Sequence, residues 1–189
     1  MSEDKPAADR AIYKILIKAS IETVWDTLVK TDEVLPFFFG GICETLDGLK
    51  PGAAMRMVTK NRKMATVVGE VLEFSPPHRY SHTLKFTQWD DAPCTIIYDL
   101  KETPDGVEFS LITEGVPSGS KTEKSMASGS NYIIKTLKYI AENGRPSVST
   151  QLMLGVFNLA APLAPKICKI ENWPLRAAAD NVTPMSKEA

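Results

Sequence analysis

The sequence has no excess of charge of either sign. Its 22 Lys and Arg offset 23 Asp and Glu, for a formal net charge of −1. Nucleic-acid binders ordinarily carry a basic patch or stripe, so this balance gives that class no support. Cysteine is scarce and odd in number, with Cys43, Cys94 and Cys168 far apart and no C-x-x-C pair. That removes zinc ribbons and thioredoxin-like motifs, and reduced thiols in a cytoplasmic protein are expected. His78 and His82 are the only histidines, and no H-E-x-x-H spacing occurs. No metal and no other cofactor is therefore expected. Long apolar runs are missing too. None approaches the roughly 18 residues of a spanning helix, and the apolar stretch Leu152 to Pro165 contains two prolines. No membrane span is expected. The opening MSEDKPAADRA has no apolar core, so no secretory leader is expected.

What remains is ordinary globular composition, 43% hydrophobic and 24% charged over 189 residues. That length can bury a core without staples. Residues 1–10 read as a disordered tail, 11–145 as one domain, and 146–189 as a partly helical extension with a polar, disordered end. IYKILIK at 12–18 alternates, which places Tyr13, Ile15 and Ile17 on one face of a strand. Ser20 can cap a helix over 21–30 whose apolar side is Val24, Trp25 and Leu28. A second short helix is predicted around 31–36, interrupted near Pro36. From 40 to 114, turn signals such as Pro51-Gly52, Pro76-Pro77 and Pro104-Asp105-Gly106 separate short apolar runs. The runs predict strands near 41–46, 53–59, 64–74, 79–87, 94–102 and 106–114, paired as an antiparallel meander. Ile133, Leu137 and Ile140 then repeat at helical spacing within 122–143, and Asn143-Gly144 ends that helix.

One stretch resists both regular structures: LPFFFGG, residues 35–41. Helix neighbours point about 100° apart, and strand neighbours alternate faces. Phe37, Phe38 and Phe39 therefore cannot share one side. Phe38 or Phe39 is expected to line a pocket, and Phe37 is the ring least expected to be structural.

Strand, two short helices, six strands and one long helix make an α+β chain. A curved antiparallel sheet of about seven strands would wrap on the long helix, the helix-grip arrangement. A curved sheet closed by one helix leaves a cavity suited to small apolar ligands. Particular residues carry a family likeness. Ile15-Leu16-Ile17-Lys18-Ala19 leads to Val24-Trp25, and Phe38-Phe39-Gly40 and Leu49-Lys50-Pro51-Gly52 follow. Gly69-Glu70-Val71-Leu72-Glu73-Phe74-Ser75-Pro76-Pro77 and Leu137 through Gly144 complete the set. With these motifs, residues 12–144 resemble the START-like (SRPBCC) superfamily, and within it the branch homologous to the activator of the 90-kDa heat-shock-protein ATPase. The chain departs from the pattern early in the last helix, where Gly129-Ser130-Asn131-Tyr132 stands in place of a tryptophan. Tyr132 is expected to fill that space. The resemblance implies binding of a small hydrophobic or lipid-like molecule. It also admits a cyclase-, aromatase- or hydrolase-like enzyme in the same cavity, or a stress- or chaperone-associated regulator.

The expected cavity residues are Phe38, Phe39, Met55, Met57, Phe86, Trp89, Phe109, Tyr132 and Leu137. Met55 and Met57 share a face by strand parity, and methionine suits adaptable surfaces. No catalytic residue is assigned. An enzyme would have to draw on His82, Tyr98, Glu114 and Tyr132, and His82 with Cys94 is the one conceivable nucleophile pair. A hydrogen-bonded structural histidine and an inert buried thiol are the favoured readings. Leu152, Met153, Val156, Phe157 and Leu159 make the extension too apolar for water. It should dock on its own domain, with a homodimer through the extension as the alternative.

Overall fold

The computed structural model describes residues 10–160 and 164–175, so the disorder expected at the two chain ends lies outside the described residues. Strand β1 (Arg10–Ile17) keeps the predicted alternation, with Ile17 buried and Ile12 and Leu16 facing out. Helix α1 (Ile21–Leu28) starts where the Ser20 hydroxyl accepts the Thr23 N–H at 3.2 Å. It buries Ile21, Val24, Trp25 and Leu28, one stripe at helical spacing.

The second predicted helix does not form. Asp32 has a left-handed φ of 59°, and its N–H donates to the Cys43 carbonyl at 2.9 Å. The backbone is thus committed to the sheet rather than to a helical turn. Val34–Leu35 becomes the two-residue strand β2, and Pro36–Phe38 a single 3₁₀ turn. Strands β3 (Gly41–Thr45), β4 (Ala54–Val58), β5 (Ala65–Ser75), β6 (Arg79–Phe86), β7 (Cys94–Thr103) and β8 (Gly106–Glu114) follow as predicted. With β2 the sheet has eight strands rather than seven, ordered β1-β8-β7-β6-β5-β4-β3-β2 and antiparallel throughout.

Helix α2 (Lys121–Asn143) lies across the concave face. Ser120 caps it by accepting the Glu123 N–H, and Gly144 ends it at φ 71° with its N–H on the Ile140 carbonyl. Its buried stripe of Met126, Ser130, Ile133, Ile134 and Leu137 meets a core that includes Phe109, Leu111 and Val107. This is the helix-grip arrangement.

The extension is partly helical and makes two different contacts. Helix α3 (Val148–Ala160) has no charged residue. It rests on the LPFFFGG segment, with the Phe157 ring 5.9 Å from Phe39 and Leu154 over Gly40. Residues 166–173 then cover the convex face. Trp173 and Ile170 pack on Ile42, Val58, Ala65 and Val68, and the Ile170 N–H donates to the Lys63 carbonyl at 3.0 Å. Arg56 ties the end down by donating to the Trp173 carbonyl at 2.8 Å.

Candidate functional site

The LPFFFGG puzzle resolves into three separate environments. Phe37 is 2% exposed and belongs to the core, contrary to the expectation that it was the least structural ring. Phe38 is half-buried. Phe39 and Gly40 both adopt left-handed φ, 54° and 75°, which reverses the chain from the 3₁₀ turn into β3. Glycine does this freely; for phenylalanine it costs about 1–3 kcal/mol and persists only where packing holds it. Here the Phe39 ring is stacked on Tyr132 at 4.5 Å and met edge-on by Phe38 and Phe157. The Tyr132 hydroxyl donates to the Pro36 carbonyl at 2.9 Å, which ties α2 to the turn.

Behind these rings lies a cavity of about 640 Å³ between the sheet and the first half of α2. Val67, Leu84, Ile96 and Leu111 form its sheet wall, and Met126 and Ile133 its helix wall. Phe157, Ala164 and Pro165 of the extension stand at its mouth beside Lys60 and Gln88. Its size falls among small-molecule sites. A second void of about 30 Å³, on the other side of Phe38 and Tyr98, is lined by Met55, Met57, Cys43, Tyr80 and His82.

The expected cavity residues therefore divide. Phe38, Phe39 and Phe86 stand in the wall of the large cavity. Met55 and Met57 line the small void instead. Tyr132 buttresses Phe39 from behind, and Trp89 packs on Phe86 at 5.0 Å without entering the wall. Phe109 and Leu137, both 0% exposed, are solid core. Each sits one step along the same face from a wall residue. Leu111 shares a strand face with Phe109, and Ile133 lies one helical turn from Leu137.

Gly129 forms part of the helix wall. A Cβ added there would meet only the Phe39 ring, at 3.5 and 3.7 Å. Glycine costs a helix interior about 1 kcal/mol relative to alanine. Gly129→Ala is therefore expected to raise the unfolding free energy by about 0.5–1 kcal/mol in urea denaturation. A loss of stability would mean that α2 and Phe39 are already in closest contact.

The polar candidates do not converge. Glu114 is a strand end paired with Arg10 at 3.1 Å. Burial pushes the Cys94 thiol up to about 11 and the Cys43 thiol up to about 12, so neither is a ready nucleophile. Burial also raises the Tyr98 hydroxyl. His82 is 3% exposed, packs beside the stacked Tyr80 and Tyr98 rings, and donates from Nδ1 to the Thr83 carbonyl at 2.8 Å. Burial lowers its pKa to about 4. The folded protein therefore keeps His82 neutral while the unfolded chain takes up a proton below its ordinary value near 6.5. Stability should fall as pH drops from about 6.5 toward about 4, by about 1.4 kcal/mol per pH unit. Urea unfolding between about pH 7 and pH 5 checks this: His82→Gln should flatten the slope, and an unchanged slope would assign it to other groups.

Among the described residues no His, Cys, Asp and Glu group could hold a metal ion, and no helix is long and apolar enough to cross a membrane.

A helix-gripped sheet with a roomy interior, preceded by the motifs noted above, agrees with the comparisons. Residues 18–142 match the family described as "Activator of Hsp90 ATPase homolog 1-like protein". The chain belongs to this family. Its place in the START-like superfamily follows. A search of curated proteins finds no match. Among solved structures, a protein from Chromobacterium violaceum is 20% identical with a TM-score of 0.54, over 71% of this chain and 97% of that one. A solution structure from Cytophaga hutchinsonii is 23% identical with a TM-score of 0.58, over 74% and 98%. An HSP90 activator from Plasmodium falciparum is 16% identical with a TM-score of 0.55, over 70% and 96%. At these identities the likeness is one of fold. The family match ends at residue 142, so α3 and the clip at 166–173 lie beyond the shared domain.

Sequence reasoning missed Leu84, Ile96, Ile133, Gly129 and Ser130 as wall residues. For the three aliphatic residues no signal was available, because core and cavity wall demand the same side chains. For Gly129 and Ser130 a signal existed: two small residues within the buried side of a helix, at the place where the family pattern is broken.

Proposed function

We propose that this family member binds one small, largely apolar molecule in the cavity between the sheet and α2, without covalent chemistry. The observation that carries this reading is the volume of about 640 Å³ between the sheet and α2, against about 30 Å³ for the second void. A cavity of this size lined by Phe, Leu, Ile and Met forgoes dispersion contacts that a ligand would restore. Phe39, held in a strained conformation at the wall, fits a pocket whose shape is maintained for binding. The dispersed positions of His82, Cys94 and Glu114 supply no acid–base pair facing the cavity, which favours binding over a cyclase- or hydrolase-like reaction. The test is native mass spectrometry of the purified full chain. A discrete extra mass of a small organic molecule, lost on denaturation, is expected. A ligand-free mass both as purified and after incubation with an apolar compound such as pyrene would sink the reading.

A second reading concerns assembly. Val148, Leu152, Val156 and Leu159 form one outward stripe of α3, between 61% and 83% exposed. Gly155 lies beside the stripe with open space over it, which leaves room for a second helix to approach. The helix has no Lys or Arg face for a lipid surface. We infer a homodimer through paired α3 helices. Light scattering behind size exclusion should give twice the chain mass, and the chain mass for Leu152→Asp. A monomeric wild type at tens of micromolar would refute it.

A further inference from the structure

Ser130 lines the large cavity and carries a buried hydroxyl that the protein leaves without a partner. Ser130 is 0% exposed, and its Oγ is the only buried side-chain nitrogen or oxygen among the described residues with no hydrogen bond. Serines inside helices ordinarily donate back to the carbonyl four residues earlier. Ser128 of the same helix does so, its Oγ donating to the Lys124 carbonyl at 3.2 Å, as does Thr27 in α1, whose Oγ1 donates to the Thr23 carbonyl at 2.7 Å. Ser130, two residues further along the same helix as Ser128, does not. Two other hydroxyls around the cavity are engaged within the protein, Thr66 with the Met57 carbonyl at 3.2 Å and Thr59 with Asn61 at 2.8 Å. A buried hydroxyl left unpaired is costly, and alanine would fill the same helical position more favourably.

We propose that the Ser130 hydroxyl is a ligand anchor, and that the molecule bound is apolar with one uncharged oxygen function, an alcohol, phenol or ketone. This inference rests on the cavity being the binding site. The hydroxyl of serine can donate to a carbonyl or accept from a hydroxyl, so both kinds of oxygen satisfy it. A charged group is disfavoured at this depth. Lys60 is the one charged residue contributing to the wall, and it is exposed at the rim. A carboxylate or ammonium drawn in beside Ser130 would lose its water with no opposite charge to replace it. The arrangement thus selects for a neutral polar group carried on an apolar frame.

The test compares pyrene with 1-hydroxypyrene by fluorescence titration of the full chain and of Ser130→Ala. In the wild type 1-hydroxypyrene should bind about five- to tenfold more tightly than pyrene, the value of one neutral hydrogen bond. In Ser130→Ala that ratio should fall to about one while pyrene affinity is kept. Equal affinities in the wild type, or a preference that survives Ser130→Ala, would overturn the anchor and leave the cavity reading standing. Failure of both compounds to bind the wild type would overturn the cavity reading itself. The variant should melt no lower than the wild type, since it removes an unpaired group. A melting point several degrees lower would show that the hydroxyl is used within the fold and would also overturn the proposal.

Discussion

Phe109→Ala is expected to lower the unfolding free energy by about 3–5 kcal/mol, whereas Phe86→Ala should cost only about 1–2 kcal/mol. Both are phenylalanines on strands of the same sheet, but their surroundings differ. Phe109 is 0% exposed and stacks at 6.0 Å on Tyr98, within the cluster that Leu100, Val107 and Leu111 also form. Removing its ring leaves a hole that close-packed neighbours cannot collapse to fill. Phe86 is half-buried at the end of β6, with one side on the cavity and an edge on Trp89. Its loss enlarges a space that already exists. Binding should show the opposite order: Phe86→Ala weakens pyrene binding, and Phe109→Ala, where it still folds, retains it. Urea unfolding with a parallel fluorescence titration reads both. Comparable stability losses for the two variants would mean that the cavity wall is packed as tightly as the core.

Glu44→Ala is expected to cost about 3 kcal/mol, although both oxygens of this carboxylate are used on the outer face of the sheet. Glu44 is 8% exposed, and Arg56, its direct partner on the adjacent strand, donates from Nε to Oε2 at 2.8 Å. Arg62 reaches the other oxygen from the β4–β5 turn. Without Glu44 the Arg56 guanidinium keeps one protein acceptor, the Trp173 carbonyl, and sits largely buried without a counter-charge. The loss should therefore spread to the clip at residues 166–173, which would show faster hydrogen exchange at Ile170, whose N–H is held by Lys63. Arg62→Ala is the control. Arg62 is 44% exposed, so losing its pairs with Glu44 and Asp32 should cost much less than Glu44→Ala. A loss under 1 kcal/mol for Glu44→Ala would place the ion pair among ordinary surface contacts.

Most of the fold was legible in the sequence because alternation and turn chemistry are local. Tyr13, Ile15 and Ile17 declare a strand face, Pro51-Gly52 and Pro104-Asp105-Gly106 declare reversals, and Asn143-Gly144 declares the end of α2. The error at 31–36 is also local in origin. Nothing in that run announces that Asp32 will turn left-handed to bond Cys43, a partner supplied by the sheet. The site was legible only by face. Strand parity correctly gives Phe109 and Leu111 the same side, and helical spacing does the same for Ile133 and Leu137. Neither says how far along the element the helix and sheet draw apart. That depth comes from how strongly the sheet bends, a property of all eight strands together. The LPFFFGG rings were legible as an oddity, but which ring goes to the core depends on the left-handed pair Phe39-Gly40. That the extension docks was legible from its apolar residues, but the convex face as the place of the clip was not, since Trp173 gains its meaning from Ile42, Val58 and Val68 more than a hundred residues earlier.

The central claim is that an apolar molecule occupies the interior rather than the apolar outer face of α3. Methyl-resolved NMR of the full chain during a titration with pyrene tests it most directly. The account predicts saturable shifts at Leu84, Ile96, Leu111 and Ile133, which line the cavity, with Leu100 unmoved in the core. Val148 and Leu152 on the exposed stripe should also stay still. Shifts confined to Val148 and Leu152, or no saturable shift at the cavity methyls, would contradict it.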